Sequence, residues 1–128
     1  MSGFAELLHD AGFTVKGSDA NRSKITEHLQ SLGVEVLYGQ KSNNITSDID
    51  FVVYTAAIHP DNPEFRAAKE MGLPMMERAE MVGQVMKNYT NAIGVSGTHG
   101  KTTTTSMLTH IFLAAKKDPT ISVGGILD

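Results

Sequence analysis

Cysteine is absent from the 128-residue chain, which excludes a disulfide framework and any thiolate metal site. No apolar run reaches the length of a membrane span. The N-terminal "MSGFAELLHD" carries acids where a secretory signal would carry a basic region and a long apolar stretch. The expected location is therefore the cytoplasm. Basic clusters are missing too: 11 Lys+Arg against 14 Asp+Glu give a formal net charge of -3, which argues against a nucleic-acid surface and leaves small anions in need of a local site. There is no internal repeat and no low-complexity linker. What remains is a chain with 41% hydrophobic and 20% charged residues, the composition of a globular protein of ordinary domain size.

Helical and strand patterns alternate along it. Phe4, Leu7, Leu8 and Ala11 make the stripe of a helix with one buried face, with Gly12 at its stop. "FTVKGSD" reads as a short strand, Ser23 as the cap of a helix running to Leu32 and ending at Gly33, and "VEVLYG" as the next strand. "IDFVVYTAA" is a nearly continuous apolar run of the kind buried on both faces of a parallel sheet. "HPDNPEFRAAKEMG" gives a proline-marked turn and a helix with Phe65, Ala68 and Met71 on one face; "LPMM" is a short strand. A further helix follows, burying Ala79, Val82 and Met86, then a strand in "TNAIGVSG". From about Thr102 to Ala115 a helix is expected with Met107, His110, Ile111 and Ala114 as its stripe, and "TISVGG" as a last strand. The alternation predicts an α/β fold, a Rossmann-like parallel sheet with helices on both faces.

The order of elements has a peculiarity. A dinucleotide-type unit runs strand, glycine-rich turn, helix, strand, acid; here a helix feeds a strand ending at Asp19. The strand and glycine turn expected before that helix would stand at the middle of the sheet, so residue 1 is not expected to be the natural start.

"GVSGTHGKTTTT", Gly94 to Thr105, places a glycine-rich turn and a Lys-Thr pair ahead of a helix. This is the layout of a phosphate cradle: helix N-terminal N–H groups face an anion, glycine lets them approach it, Lys101 reaches the outer phosphates and the Thr102 hydroxyl serves a magnesium ion. The strict motif wants a glycine where Val95 stands, and Gly97 lies closer to Gly100 than that motif allows. The bland alternative is a glycine-rich, threonine-capped helix start with no ligand.

"GTHGKTTTT" resembles the ATP-binding loop of the Mur ligase family, whose loop has this shorter glycine spacing. His99 is similar to the variant in the branch that adds L-alanine to UDP-N-acetylmuramate and in a related branch acting on murein peptides. "TAAIHPDNPE" and "ERAEM" favour the former, and "MSGFAELLHDAGFTVKGSD" is similar to the helix and second strand that follow that branch's glycine-rich turn. The resemblance implies an ATP-dependent carboxylate–amine ligase of peptidoglycan synthesis. ATP would phosphorylate the lactyl carboxylate of UDP-N-acetylmuramate, and the amine of L-alanine would attack the acyl phosphate.

It also implies a UDP-sugar-binding Rossmann-like domain over residues 1–88, without its first strand, and the beginning of a P-loop ATP-binding domain over 89–128. The rest of the enzyme would lie beyond Asp128, and the isolated chain is expected to be inactive. Gly97, Thr98, His99, Gly100, Lys101, Thr102 and Thr103 fall on the ATP loop. Lys101 and His99 are the candidate catalytic residues, Thr102 the candidate magnesium ligand, and ATP and Mg2+ the expected cofactors. Ser18, Asp19, Thr55, Ala56, Ala57 and Asn62 fall on the UDP-sugar side. A free-standing nucleotide-binding module stays open as a second reading.

Several of these residues have plainer roles available. Asp19 suits a turn as well as a ligand contact, and Asn62 before Pro63 is a natural helix cap. His9, His28 and His110 have no acidic or histidine partners at ligand spacing, which makes them surface or interface residues. Met75, Met76, Met81 and Met86 read as core filler.

Overall fold

A computed structural model describes residues 1–123. The elements run α1 (Ser2–Asp10), β1 (Lys16–Asp19), α2 (Lys24–Ser31), β2 (Glu35–Tyr38), a 3-10 turn (Ser42–Asn44), β3 (Val52–Tyr54), α3 (Pro63–Glu70), β4 (Met75–Glu77), α4 (Arg78–Met86) and α5 (Lys101–Ala114). Two compact units divide the chain, Met1–Tyr89 and a second beginning at Thr90. No helix among the described residues is long and apolar enough to cross a membrane.

The four strands among the described residues belong to the first unit and pair in parallel, as the alternation predicts. They form two separate ladders: β1 with β2, Lys16 opposite Glu35 through Asp19 opposite Tyr38, and β3 with β4, Val52 opposite Met75 through Tyr54 opposite Glu77. The single continuous sheet of the sequence reading is thus found as two pieces. β3 is also shorter than the apolar run "IDFVVYTAA" suggested, three half-buried residues with one pairing partner. A strand hydrogen-bonded on one side only does not extend along a run that would be buried on both faces.

Local chemistry explains the boundaries. Ser23 accepts from the Thr26 N–H at 3.3 Å while the Thr26 hydroxyl accepts from the Ser23 N–H at 2.9 Å, a reciprocal capping box that starts α2. The helix stops at Gly33, whose φ of +98° lies in the left-handed region open to glycine. That turn aims Val34 and Val36 back under α2, where they are buried with Leu29; Ala5 and Val15 pack against them. Ala68 of α3 is completely buried, and Phe65 meets Tyr54 edge-on with ring centroids 5.2 Å apart.

Several expected faces differ. Ala11, Met71 and Ala79 are exposed, whereas Phe4, Leu7, Leu8, Val82 and Met86 are half-buried. In α5 the expected stripe is the wrong one: Met107 and Ile111 are both 63% exposed and His110 and Ala114 are exposed as well. The inward stripe is Thr105, Leu108, Thr109 and Phe112, with Thr109 buried. Thr109 can be buried because its hydroxyl donates to the Thr105 carbonyl at 2.9 Å, the i−4 back-bond that hides a threonine's polarity within its own helix. The strand expected in "TNAIGVSG" is not formed. Residues 90–94 are exposed there, with no ladder partner among the described residues to pair their backbone. "TISVGG" shows no strand up to Val123, and its remainder lies outside the described residues.

At the N-terminal ends of β1 and β2 the Lys16 ammonium sits 3.0 Å from Asp48 and 3.8 Å from Glu35. A hydrogen bond from the Thr46 hydroxyl, then the one from Lys16, holds the Asp48 carboxyl down to about 2 from its ordinary 3.8. The hydrogen bond to Asp48 in turn raises Lys16. A carboxyl depressed in the folded state stabilises the fold above its unfolded value, and that contribution is lost as pH falls through the folded one. Two outcomes are expected. Asp48→Asn should be less stable than the wild type at neutral pH, by a margin that shrinks between pH 3.8 and about 2 and weakens in high salt, as read by urea unfolding across a pH series. Leu29→Ala should cost about 2–5 kcal/mol in the same assay, since it empties the centre of a small core.

Candidate functional site

Parallel strands point their C-terminal ends to one edge, the place where open α/β sheets take ligands. In the first unit that edge carries a polar network. Ser18, next to last in β1, donates its hydroxyl to Glu64 Oε2 at 2.5 Å. Asn44, in the 3-10 turn after β2, donates its side-chain amide to Glu64 Oε1 at 2.6 Å and to the Gly39 carbonyl at 2.8 Å. Asn62 caps α3, its Oδ1 accepting from the N–H groups of Glu64 at 2.9 Å and Phe65 at 3.2 Å, and its Nδ2 donates to Gln40. Glu64 stands in the first turn of α3, where the helix dipole favours a negative charge.

Of the residues expected on the UDP-sugar side, the structure brings Ser18 and Asn62 into this one network, joined through Glu64. The capping role foreseen for Asn62 is observed. Asp19 is exposed beside them and its carboxylate accepts the Asn21 N–H at 3.0 Å, the turn geometry also foreseen. Thr55, Ala56 and Ala57 follow the C-terminal end of β3 in a turn closed by the Ile58 N–H on the Thr55 carbonyl at 3.0 Å. They share no hydrogen bond with the network among the described residues. Gln40, Asn44 and Glu64 escaped the sequence reading. Their signal was positional: polar side chains directly after "VEVLYG" and at the second position of a helix opened by Asn-Pro.

The second unit holds the glycine-rich loop. Gly100 sits at φ 75° and ψ 5°, left-handed, and α5 begins at the next residue with no side chain capping it. The N–H groups of its first turn are thereby left open, in contrast to α2 and α3, where Ser23 and Asn62 fill them. Lys101 curls back so that its ammonium donates to the Gly97 carbonyl at 2.6 Å and reaches the Thr98 carbonyl at 3.5 Å. Thr105 and Ser106 turn their hydroxyls onto the Lys101 and Thr102 carbonyls. Those of Thr102 and Thr103 make no hydrogen bond among the described residues. His99 is exposed.

An open helix N-terminus, a positive left-handed turn and a lysine folded over the loop suit an anion of several charges. The fit to a metal is narrower. No cluster of three or more His, Asp or Glu side chains able to hold an ion occurs among the described residues. A magnesium ion here would have the Thr102 hydroxyl as its protein ligand and would take most of its oxygens from phosphate and water.

Residues 1–90 match the family described as Mur ligase family, catalytic domain, and the chain belongs to the Mur ligase family. Its relatives include the UDP-N-acetylmuramate–L-alanine ligases of Agathobacter rectalis, 62% identical over 127 residues and 99% of this chain, and of Lachnoclostridium phytofermentans, 62% identical over all 128. The chain spans 28% and 27% of the length of those two proteins. Among solved structures, the UDP-N-acetylmuramate–alanine ligase of Thermotoga maritima superposes with a TM-score of 0.92 at 33% identity, covering 100% of this chain and 30% of that one. The UDP-N-acetylmuramate:L-alanyl-gamma-D-glutamyl-meso-diaminopimelate ligase of Neisseria meningitides gives 0.90 at 30% identity, covering 98% of this chain and 40% of that one.

The left-handed turn gives a direct check on the loop. A Cβ added at Gly100 would meet nothing within 4 Å, so a substitution there carries conformational strain without a clash. Gly100→Ala should weaken the start of α5 by about 1–2 kcal/mol and Gly100→Asn by less; both are read as faster amide exchange in the first turns of α5.

Proposed function

We propose that this chain is the part of a UDP-N-acetylmuramate–L-alanine ligase that faces the nucleotide sugar and the phosphates of ATP. The observation that carries the reading is the uncapped, lysine-covered start of α5 in a chain 62% identical along its length to ligases of that name. On this reading residues 1–88 serve the UDP-sugar and residues 89–128 open a P-loop ATP-binding domain.

The chemistry to be served is activation of a carboxylate. A carboxylate is a poor electrophile; transfer of a phosphoryl group from ATP creates an acyl phosphate, and the amine of L-alanine displaces phosphate to form the amide. Magnesium, when bound, supplies charge neutralisation between phosphate oxygens. This chain's residues bind and orient. The backbone of Gly97, Thr98, His99, Gly100 and Thr103 cradles the phosphates, the Lys101 ammonium leaves the Gly97 carbonyl to offset the charge of the transferred group, and the Thr102 hydroxyl offers the metal its protein ligand. His99, exposed on the loop, is placed to meet the phosphates or the substrate carboxylate. Ser18, Asp19, Thr55, Ala56, Ala57 and Asn62 are the corresponding proposal for the UDP-sugar.

The murein-peptide ligase reading has the Neisseria structure in its favour, at 30% identity, against 62% for the alanine-adding relatives. Lys101→Ala should weaken ATP binding to the chain by at least about tenfold, the loss of one charge-assisted contact, while leaving its unfolding midpoint within a degree or two of the wild type. Calorimetric titration with Mg-ATP reads the first and circular dichroism the second; ATP affinity unchanged by Lys101→Ala would remove the loop from the nucleotide site.

A further inference from the structure

At the edge of the first unit the donors of Ser18 and Asn44 are turned inward. The one hydroxyl hydrogen of Ser18 goes to Glu64 Oε2 at 2.5 Å, within the range of a charge-assisted O–H to carboxylate bond. The Asn44 amide gives its hydrogens to Glu64 Oε1 and the Gly39 carbonyl, and the Asn62 amide gives one to Gln40. The N–H groups at the start of α3 are taken by Asn62 Oδ1. A serine whose hydrogen is committed offers only lone pairs, and its neighbour Asp19 is an acceptor-only carboxylate with one oxygen on the Asn21 N–H. Ser18 and Asp19 together therefore present lone pairs, which suit a hydroxyl and repel a phosphate oxygen; the remaining donors are the Gln40 amide and the second Asn62 N–H.

We propose that Glu64 is a positioning residue that fixes Ser18 as a hydrogen-bond acceptor, so that the Ser18 end of this edge selects the hydroxyl-bearing ribose of a nucleotide. The proposal rests on the reading that this edge faces a nucleotide sugar, and it adds which part of the nucleotide is read and by what polarity. Glu64 touches no ligand; it acts through Ser18. In Glu64→Gln the oxygen of the introduced amide can keep its bond from Asn44. Its NH2 must then donate to Ser18 Oγ, which frees the serine hydrogen to point outward and reverses the polarity presented to the ligand.

The test titrates the chain with uridine 5′-monophosphate and with its 2′,3′-dideoxy analogue, followed by calorimetry or amide shift changes. The wild type should prefer the ribonucleotide by about tenfold, the worth of one hydrogen bond to an oriented acceptor. Glu64→Gln should bring that ratio close to one, and Ser18→Ala should do the same with no further change in the double variant, the signature of two residues acting as one unit. Because a merely structural role for Glu64 would weaken both ligands by a common factor, an unchanged ratio in Glu64→Gln overturns the proposal. If Glu64→Gln does not fold, Ser18→Thr should keep the preference and Ser18→Ala lose it, and retention by Ser18→Ala overturns it equally. Wild-type binding of both nucleotides with equal affinity overturns the polarity while leaving the nucleotide-sugar reading in place. Absence of uridine nucleotide binding alongside Lys101-dependent ATP binding overturns both the proposal and the UDP-sugar role of this edge, but not the phosphate loop.

Discussion

Parallel strands cannot be joined by a tight turn. The chain must cross over through a helix to start the next strand in the same direction, and that requirement sorts everything else in the first unit. Strand beginnings collect at one edge and strand ends at the other. The beginnings carry Lys16 with Glu35 and Asp48, an exposed ionic cluster suited to holding the ladder in register. The ends carry Ser18, Gln40, Asn44, Asn62 and Glu64, side chains from four separate segments that meet because each segment follows or precedes a crossover.

The three helix starts described in detail divide by how their free N–H groups are treated. α2 and α3 are closed by Ser23 and Asn62; α2 gives Leu29 to the cluster with Val34 and Val36, and α3 buries Ala68. α5 is left open behind a left-handed glycine, and its lysine satisfies itself on a loop carbonyl at 2.6 Å. A bond of that kind is easily exchanged for a phosphate oxygen, since the lysine is exposed and its partner is a neutral carbonyl. Capped starts serve stability, and the uncapped one is where the proposed phosphate site lies.

Much of this was legible in the residues. Ser23, Gly33 and Asn62 mark helix ends by side-chain chemistry that acts within a few residues, and the structure uses each as expected. The glycine-rich turn ahead of Lys-Thr was likewise a local signal, and Gly100 takes the left-handed conformation there. Failures came where a neighbour decides the outcome. Met107 and Ile111 have helical spacing and greasy side chains, yet α5 turns inward the stripe of Thr105, Leu108, Thr109 and Phe112, because back-bonded threonines are less polar than their composition suggests. The strand read in "TNAIGVSG" needs a hydrogen-bonding partner that those residues do not have among the described ones. The Glu64 network went unseen for a related reason: its members lie up to 46 residues apart, and only the crossover geometry brings them together.

The division of the strands into two ladders has a kinetic side. Each ladder is closed by its own crossover, β1–α2–β2 and β3–α3–β4, so each can assemble from contacts near in sequence, without waiting for the other. Among the described residues, side-chain hydrogen bonds join one to the other: Ser18 and Asn44 to Glu64, Asn62 to Gln40 and Lys16 to Asp48. The polar cluster at the ligand edge is thus also a latch between two folding units. A molecule seated there would raise the free energy of opening both together, so occupancy and cooperativity of unfolding would rise as one.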